Sequence, residues 1–142
     1  MERQRWIVVG VDFSDGARRA LEYALEHAPK IGARVAAVHV YEDRAGTPAF
    51  HDPVPALREQ LHELVELCGC YGTEVELMVR RGAPWEKILN VAGELGAELI
   101  VVGAEGQRCC SKERFLGSCT TRVATASNRS VVVVPSGRVG VG

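Results

Sequence analysis

The chain has 142 residues, 46% hydrophobic and 25% charged, which excludes a disordered or collagen-like polymer and fits one domain with its own core. Lys plus Arg number 17 against 18 for Asp plus Glu, a net charge of -1, which argues against a dedicated nucleic-acid binder that works by counterion release. No apolar run approaches the roughly 18 residues needed to cross a bilayer, and Met1-Glu2-Arg3-Gln4-Arg5-Trp6 leads into no signal-peptide core. The expectation is a soluble, cytoplasmic single domain over residues 1–142, with no membrane partner, a core from about Trp6 to Pro135, and a frayed tail from Ser136 to Gly142.

Trp6 to Val11 is a continuous apolar run closed by Asp12, the pattern of a central parallel strand covered on both faces. Ser14 stands where a helix N-cap belongs, with Asp15 in the first turn. Ala17, Ala20, Leu21, Ala24, Leu25, Ala28 and Ile31 then recur at helical spacing until Gly32. Val35 to Tyr41 is a second strand, in which His39 reads as a packed, hydrogen-bonded histidine. Gly46, Pro48, Pro53 and Pro55 punctuate a polar surface loop. Leu57, Leu61, Leu64, Val65 and Cys68 mark a second helix that stops near Gly69 or Gly72. Glu74 to Arg80 alternates polar and apolar, as a half-exposed edge strand does. Pro84 suits the first position of a third helix carrying Ile88, Ala92 and Leu95, and Gly96 ends it.

Leu99 to Val102 is another buried-strand run, followed by the loop Gly103-Ala104-Glu105-Gly106. A fourth helix is expected to carry Leu116, Cys119, Val123 and Ala126 on one face, with Gly117-Ser118 inside it. Glycine there costs about 1 kcal/mol relative to alanine, so it asks for a packing or ligand reason. Val131 to Val134 is the last strand, closed by Pro135. Trp6 and Trp85 are expected to cover core edges. Strict alternation of strand and helix gives an α/β fold, an open parallel sheet with helices on both faces. Ligands in such folds sit beyond the carboxyl ends of the strands at the topological switch point, so the loops after Val11 and Val102 are the functional candidates.

The remaining chemistry is sparse. The five cysteines, Cys68, Cys70, Cys109, Cys110 and Cys119, match neither C-x-x-C redox nor zinc-ribbon spacing and read as reduced, packed thiols. A redox enzyme built on Cys109-Cys110 is the distant alternative. His27, His51 and His62 form no metal-ligand pair, and no nucleophile–base pairing is evident. Neither G-x-x-x-x-G-K-[ST] nor G-x-G-x-x-G occurs. Gly103-x-x-Gly106, ten residues and then Gly117-Ser118 form a looser glycine pattern, in which backbone amides and a helix start approach an anion. The competing reading is that these glycines serve the turn and close helix–sheet packing. A phosphoacceptor receiver domain has the same length and alternation, but it needs an acidic pair near the first strand and an Asp ending the third. Val9-Gly10-Val11 and Val79-Arg80-Arg81 stand there instead.

Asp12, Arg18-Arg19-Ala20-Leu21, Val38-His39-Val40, Arg81-Gly82-Ala83-Pro84, and Gly103-x-x-Gly106 with Gly117-Ser118 before a valine-rich strand together resemble the universal stress protein family, nearly end to end. The resemblance implies five parallel strands in order 3-2-1-4-5, an adenine-nucleotide α-hydrolase-like, Rossmann-like arrangement. It also implies a stress-response or signalling module binding ATP or a related adenine nucleotide, with Mg²⁺, between strands 1 and 4. Asp12 would contact the adenine, Val40 and the Gly10 backbone would line its pocket, and Gly103, Gly106, Gly117 and Ser118 would take ribose and phosphates. At most slow ATP hydrolysis is expected. The alternative is a member that binds no nucleotide and acts as a dimeric interaction module.

Two departures bear on the phosphates: the stretch from Gln107 to Leu116 is one residue longer than the family pattern, and Glu105 brings a carboxylate beside the glycines. Two like charges 4 Å apart repel by about 4 kcal/mol at an effective dielectric near 20; Arg108, Lys112 and Arg114 could offset this. A final expectation concerns assembly. An apolar last strand at the sheet edge invites aggregation unless a twofold-related copy pairs with it, so a homodimer through Val131, Val132, Val133 and Val134 is expected, as the resemblance also implies.

Overall fold

The computed structural model describes residues 4–42, 52–70, 72–104 and 117–135. The chain alternates β1 (Arg5–Gly10), α1 (Asp15–Ile31), β2 (Ala33–Tyr41), α2 (Val54–Cys68), β3 (Val75–Arg81), α3 (Pro84–Leu95), β4 (Leu99–Gly103), α4 (Ser118–Ala126) and β5 (Ser130–Val134). All pairings are parallel and the strand order is β3-β2-β1-β4-β5, as the resemblance implied. Central β1 pairs with β2 from Arg5↔Ala33 to Gly10↔Val38, and with β4 from Ile7↔Leu99 to Val9↔Val101.

Two apolar layers flank the sheet. Val9, Val11, Ala20, Leu21, Leu25, Val35 and Leu61 build the layer under α1 and α2. Val8, Val38, Ile88, Val91, Ile100, Val102 and Val123 build the one under α3 and α4. Each fully buried aliphatic side chain of this kind contributes about 1.5–3 kcal/mol. The alanines of α1 matter for a different reason: Ala17, Ala20, Ala24 and Ala28 are all buried and let the helix lie close to the strands. Ser14 caps α1 by accepting from the Ala17 N–H, and Gly32 closes it in the left-handed conformation at φ +67°.

The fourth helix departs from expectation. It begins at Ser118, and Gly117 is its extended N-cap, accepting from the Thr121 N–H at 2.9 Å. Gly117 is therefore outside the helix and carries no interior-glycine cost. Thr120 and Val123 are the residues α4 buries, whereas Ala126 is exposed. Leu116 and the tail after Pro135 lie outside the described residues.

Trp6 is buried beneath the Arg34 guanidinium, 4.5 Å from its ring centroid, and Trp85 lies half-buried under Arg122 at 5.3 Å. Both tryptophans cover core edges. Cys68, Cys70 and Cys119 are half-buried free thiols; Cys109 and Cys110 lie outside the described residues. No helix among the described residues is long and apolar enough to cross a membrane.

Candidate functional site

Beyond Gly10 the chain leaves the sheet in a tight, ordered sequence of contacts. The Val11 N–H still donates to the Val38 carbonyl at 2.8 Å. Asp12 is half-buried, and its Oδ1 accepts from the Ser14 N–H at 3.0 Å and from the Ser14 hydroxyl. The Ser14 oxygen in turn accepts from the Ala17 N–H at 3.1 Å. One carboxylate oxygen is thus committed to orienting the entrance of α1. Between them Phe13 takes φ +63°, the only non-glycine residue among those described with positive φ. An aromatic side chain in that region costs on the order of 1–3 kcal/mol.

The loop after β4 meets this turn directly. A Cβ on Gly103 would stand 2.6 Å from the Gly16 carbonyl carbon and 3.0 Å from the Ala17 nitrogen. Only a glycine lets the first turn of α1 rest on the end of β4. Close packing, the competing reading of the glycine pattern, holds at Gly103. The same segment is tied to α4 and β5. The Thr120 hydroxyl donates to the Gly103 carbonyl at 2.6 Å, the Gly117 N–H to Ala104 at 2.9 Å, and the Ala104 N–H to Val134 at 2.8 Å. Among the described residues no side chain caps the start of α4 and no acidic residue stands in its first turn, and Ser118 is exposed there. That leaves first-turn amides and a helix dipole compatible with an anion.

On the α3–α4 side, Gly10 meets Ile88, whose Cδ1 would be 2.6 Å from an added Cβ, with Val102 at 3.4 Å. Val40 is half-buried and packs on the same layer as Met78, Ile88 and Cys119. Gly10, Asp12, Val40, Gly103, Gly117 and Ser118 thus lie at the carboxyl ends of β1, β2 and β4 and the start of α4. Gly106 lies outside the described residues, as do Glu105, Arg108, Lys112, Arg114 and the lengthened stretch.

Sequence reasoning missed Cys119 as a neighbour of this site, having placed it on the core face of α4. Its thiol is pushed up to about 11, first by burial and then by the negative charge of Asp12. The Asp12 turn and the first turn of α4 therefore share one electrostatic space. Position was the available signal, since Cys119 directly follows Gly117-Ser118. Among the described residues no cluster of three His, Cys, Asp or Glu could hold a metal ion. A shallow recess of about 270 Å³ lies at the opposite, amino-terminal end of the strands, lined by Gln4, Arg34, Thr73 and Glu74 among others. It shares no residue with the switch-point cluster.

The universal stress protein family model matches residues 5–135. A universal stress protein of Thermus aquaticus is 32% identical over 133 residues, covering 90% of this chain and 96% of that one. A universal stress protein solved in complex with cAMP superposes with a TM-score of 0.70 at 28% identity, covering 95% and 99% of the two chains. The Archaeoglobus fulgidus universal stress protein in complex with dAMP gives 0.70 at 29%, covering 94% and 99%. Matched along nearly its whole length in sequence and in fold, the chain belongs to the universal stress protein family.

Proposed function

We propose that the chain binds an adenine nucleotide, ATP or a close relative, where the loops after β1 and β4 meet, and uses occupancy to signal in a stress response. The observation that carries this reading is the convergence of the oriented Asp12 carboxylate with the uncapped start of α4, through Gly103 resting on α1. Relatives of the same fold in complex with cAMP and dAMP support the choice of adenine. An acceptor such as Asp12 suits the purine's amino group. Gly10 and Val40 offer apolar contact to the base. Gly117 and Ser118, at a positive helix end, suit phosphate oxygens, and the phosphates themselves would carry Mg²⁺. Gly103 acts chiefly by letting the two loops touch. No base or nucleophile is aligned for turnover among these residues, so binding is the function proposed.

Nucleotide analysis of acid-extracted purified protein, followed by calorimetry, tests this. Wild type should take up ATP, Gly117→Val should abolish uptake while the fold persists, and Asp12→Ala should weaken ATP and adenosine alike. Unchanged affinity in both variants overturns the assignment. A wild type that binds no adenine nucleotide favours the interaction-module reading instead. For assembly, we infer a homodimer in which two β5 strands pair antiparallel, from the uncharged, half-buried run Val131–Val134 at the sheet edge.

A further inference from the structure

The Asp12 turn depends on a conformation that its own sequence does not favour, because Phe13 sits at φ +63° where a bulky L-residue is strained. His39 on β2 answers that strain at two points. The Val11 carbonyl, next after the last rung of the β1–β2 ladder, lies 2.7 Å from His39 Nδ1. A carbonyl only accepts, so Nδ1 carries the proton and donates. The same ring packs against Phe13, with centroids 4.5 Å apart and planes at 40°. One side chain therefore holds the peptide before Asp12 and the side chain after it. Val11 and Phe13 belong to the layer under α1 and α2, whereas Val40 and Cys119 belong to the opposite one. His39 works from behind the turn, on the side of the sheet opposite Val40 and Cys119.

We propose that His39 is a positioning residue for adenine binding, locking the Val11–Ser14 turn and through it the Asp12 carboxylate, without touching the ligand. This rests on the nucleotide reading above. Two near-isosteric variants isolate the hydrogen bond: His39→Leu removes both donor and ring, and His39→Asn returns an N–H close to the Nδ1 position. With purified full-length protein and with adenosine and ATP as probes, His39→Leu should lose about tenfold in affinity for both, as one net hydrogen bond allows. His39→Asn should recover to within about threefold of wild type. In ligand-free protein, exchange of the Ser14 amide should quicken about tenfold in His39→Leu and slow again in His39→Asn, with β4 amides unchanged.

Wild-type affinity in His39→Leu, or equal weakness in both variants, overturns the proposal. If wild type itself takes up neither adenosine nor ATP, the nucleotide reading falls and Ser14 exchange alone decides the brace. Unchanged exchange in His39→Leu then overturns it, and Asn-restored protection supports it. Should His39→Leu be insoluble, Phe13→Gly is added to remove the left-handed cost. A soluble double variant supports a brace acting through Phe13, and a double variant that stays insoluble overturns it.

Discussion

β3 and β5 both end the sheet and leave a row of backbone N–H and C=O groups without a neighbouring strand of the described chain, but their side chains differ. β3 is flanked and studded with charge: Glu74 before it, then Glu76, Arg80 and Arg81. Arg34 on β2 reaches both acids, at 2.9 Å to Glu74 and 3.8 Å to Glu76, while lying over Trp6. An incoming strand would have to desolvate these groups. β5 carries no charge from Ser130 to Val134. Val132 and Val134 lean on the α1 layer, Val131 and Val133 on the α3–α4 layer, and all four remain half-buried. Charge guards one edge, and the other carries none, as the proposed β5 pairing requires. The loops proposed to meet a nucleotide lie at the carboxyl ends of the strands between them.

Reversing the receptive edge has the largest expected effect. Replacing Val132 and Val134 by Lys should give a monomer near 15.4 kDa by light scattering, where wild type gives twice that mass; a wild type that is itself monomeric at micromolar concentration refutes the pairing. The converse change should make the guarded edge adhesive. Glu76→Val with Arg80→Val should produce concentration-dependent association beyond a dimer, and unchanged sedimentation would show that charge is not what protects β3. Arg34→Ala tests the guard's own contribution to folding. It removes two ion pairs and a cation–π contact and should cost about 1 kcal/mol in urea denaturation, against less than about 0.5 kcal/mol for Glu74→Gln.

The effect confined to high pH lies between the edges, at Cys119. Its unfolded thiol ionises from the ordinary value of 9.0, whereas the folded thiol keeps its proton to about 11. The native state then binds more protons than the unfolded one, so stability falls as pH rises through that window. Denaturation of wild type against Cys119→Val should diverge only there. Parallel curves would show that burial and Asp12 do not raise the thiol.

Much of the architecture was legible because its signals are local. Ser14 and Gly32 bracket α1, Pro84 and Gly96 bracket α3, and the apolar runs mark β1, β4 and β5. β2 begins two residues earlier than its apolar run because Ala33 and Arg34 are drawn in by pairing with Arg5 and Trp6. Periodicity misplaced Gly117, since a hydrophobic pattern runs on through a cap without registering it. The residues gathered at the candidate site were visible as types in the sequence, but the contacts that arrange them were not. Nothing in the sequence marks Phe13 as left-handed, where glycine or asparagine would have announced it. Gly103 was visible as a glycine, yet its partner Gly16 is a contact across the fold.

The strand order has a consequence in time. β1 lies at the centre of the sheet, but its two neighbours, β2 and β4, are made at different moments. When synthesis has passed Tyr41, one side of β1 has its partner in the chain already, while the other waits for Leu99–Gly103. At about 5–20 residues per second this interval lasts roughly three to twelve seconds. Throughout it, β1, with Val8 and Val9 that are later fully buried, presents an open edge to solvent or to a chaperone. The polypeptide is therefore most vulnerable to misassociation in mid-synthesis, at the strand that becomes its best-protected element.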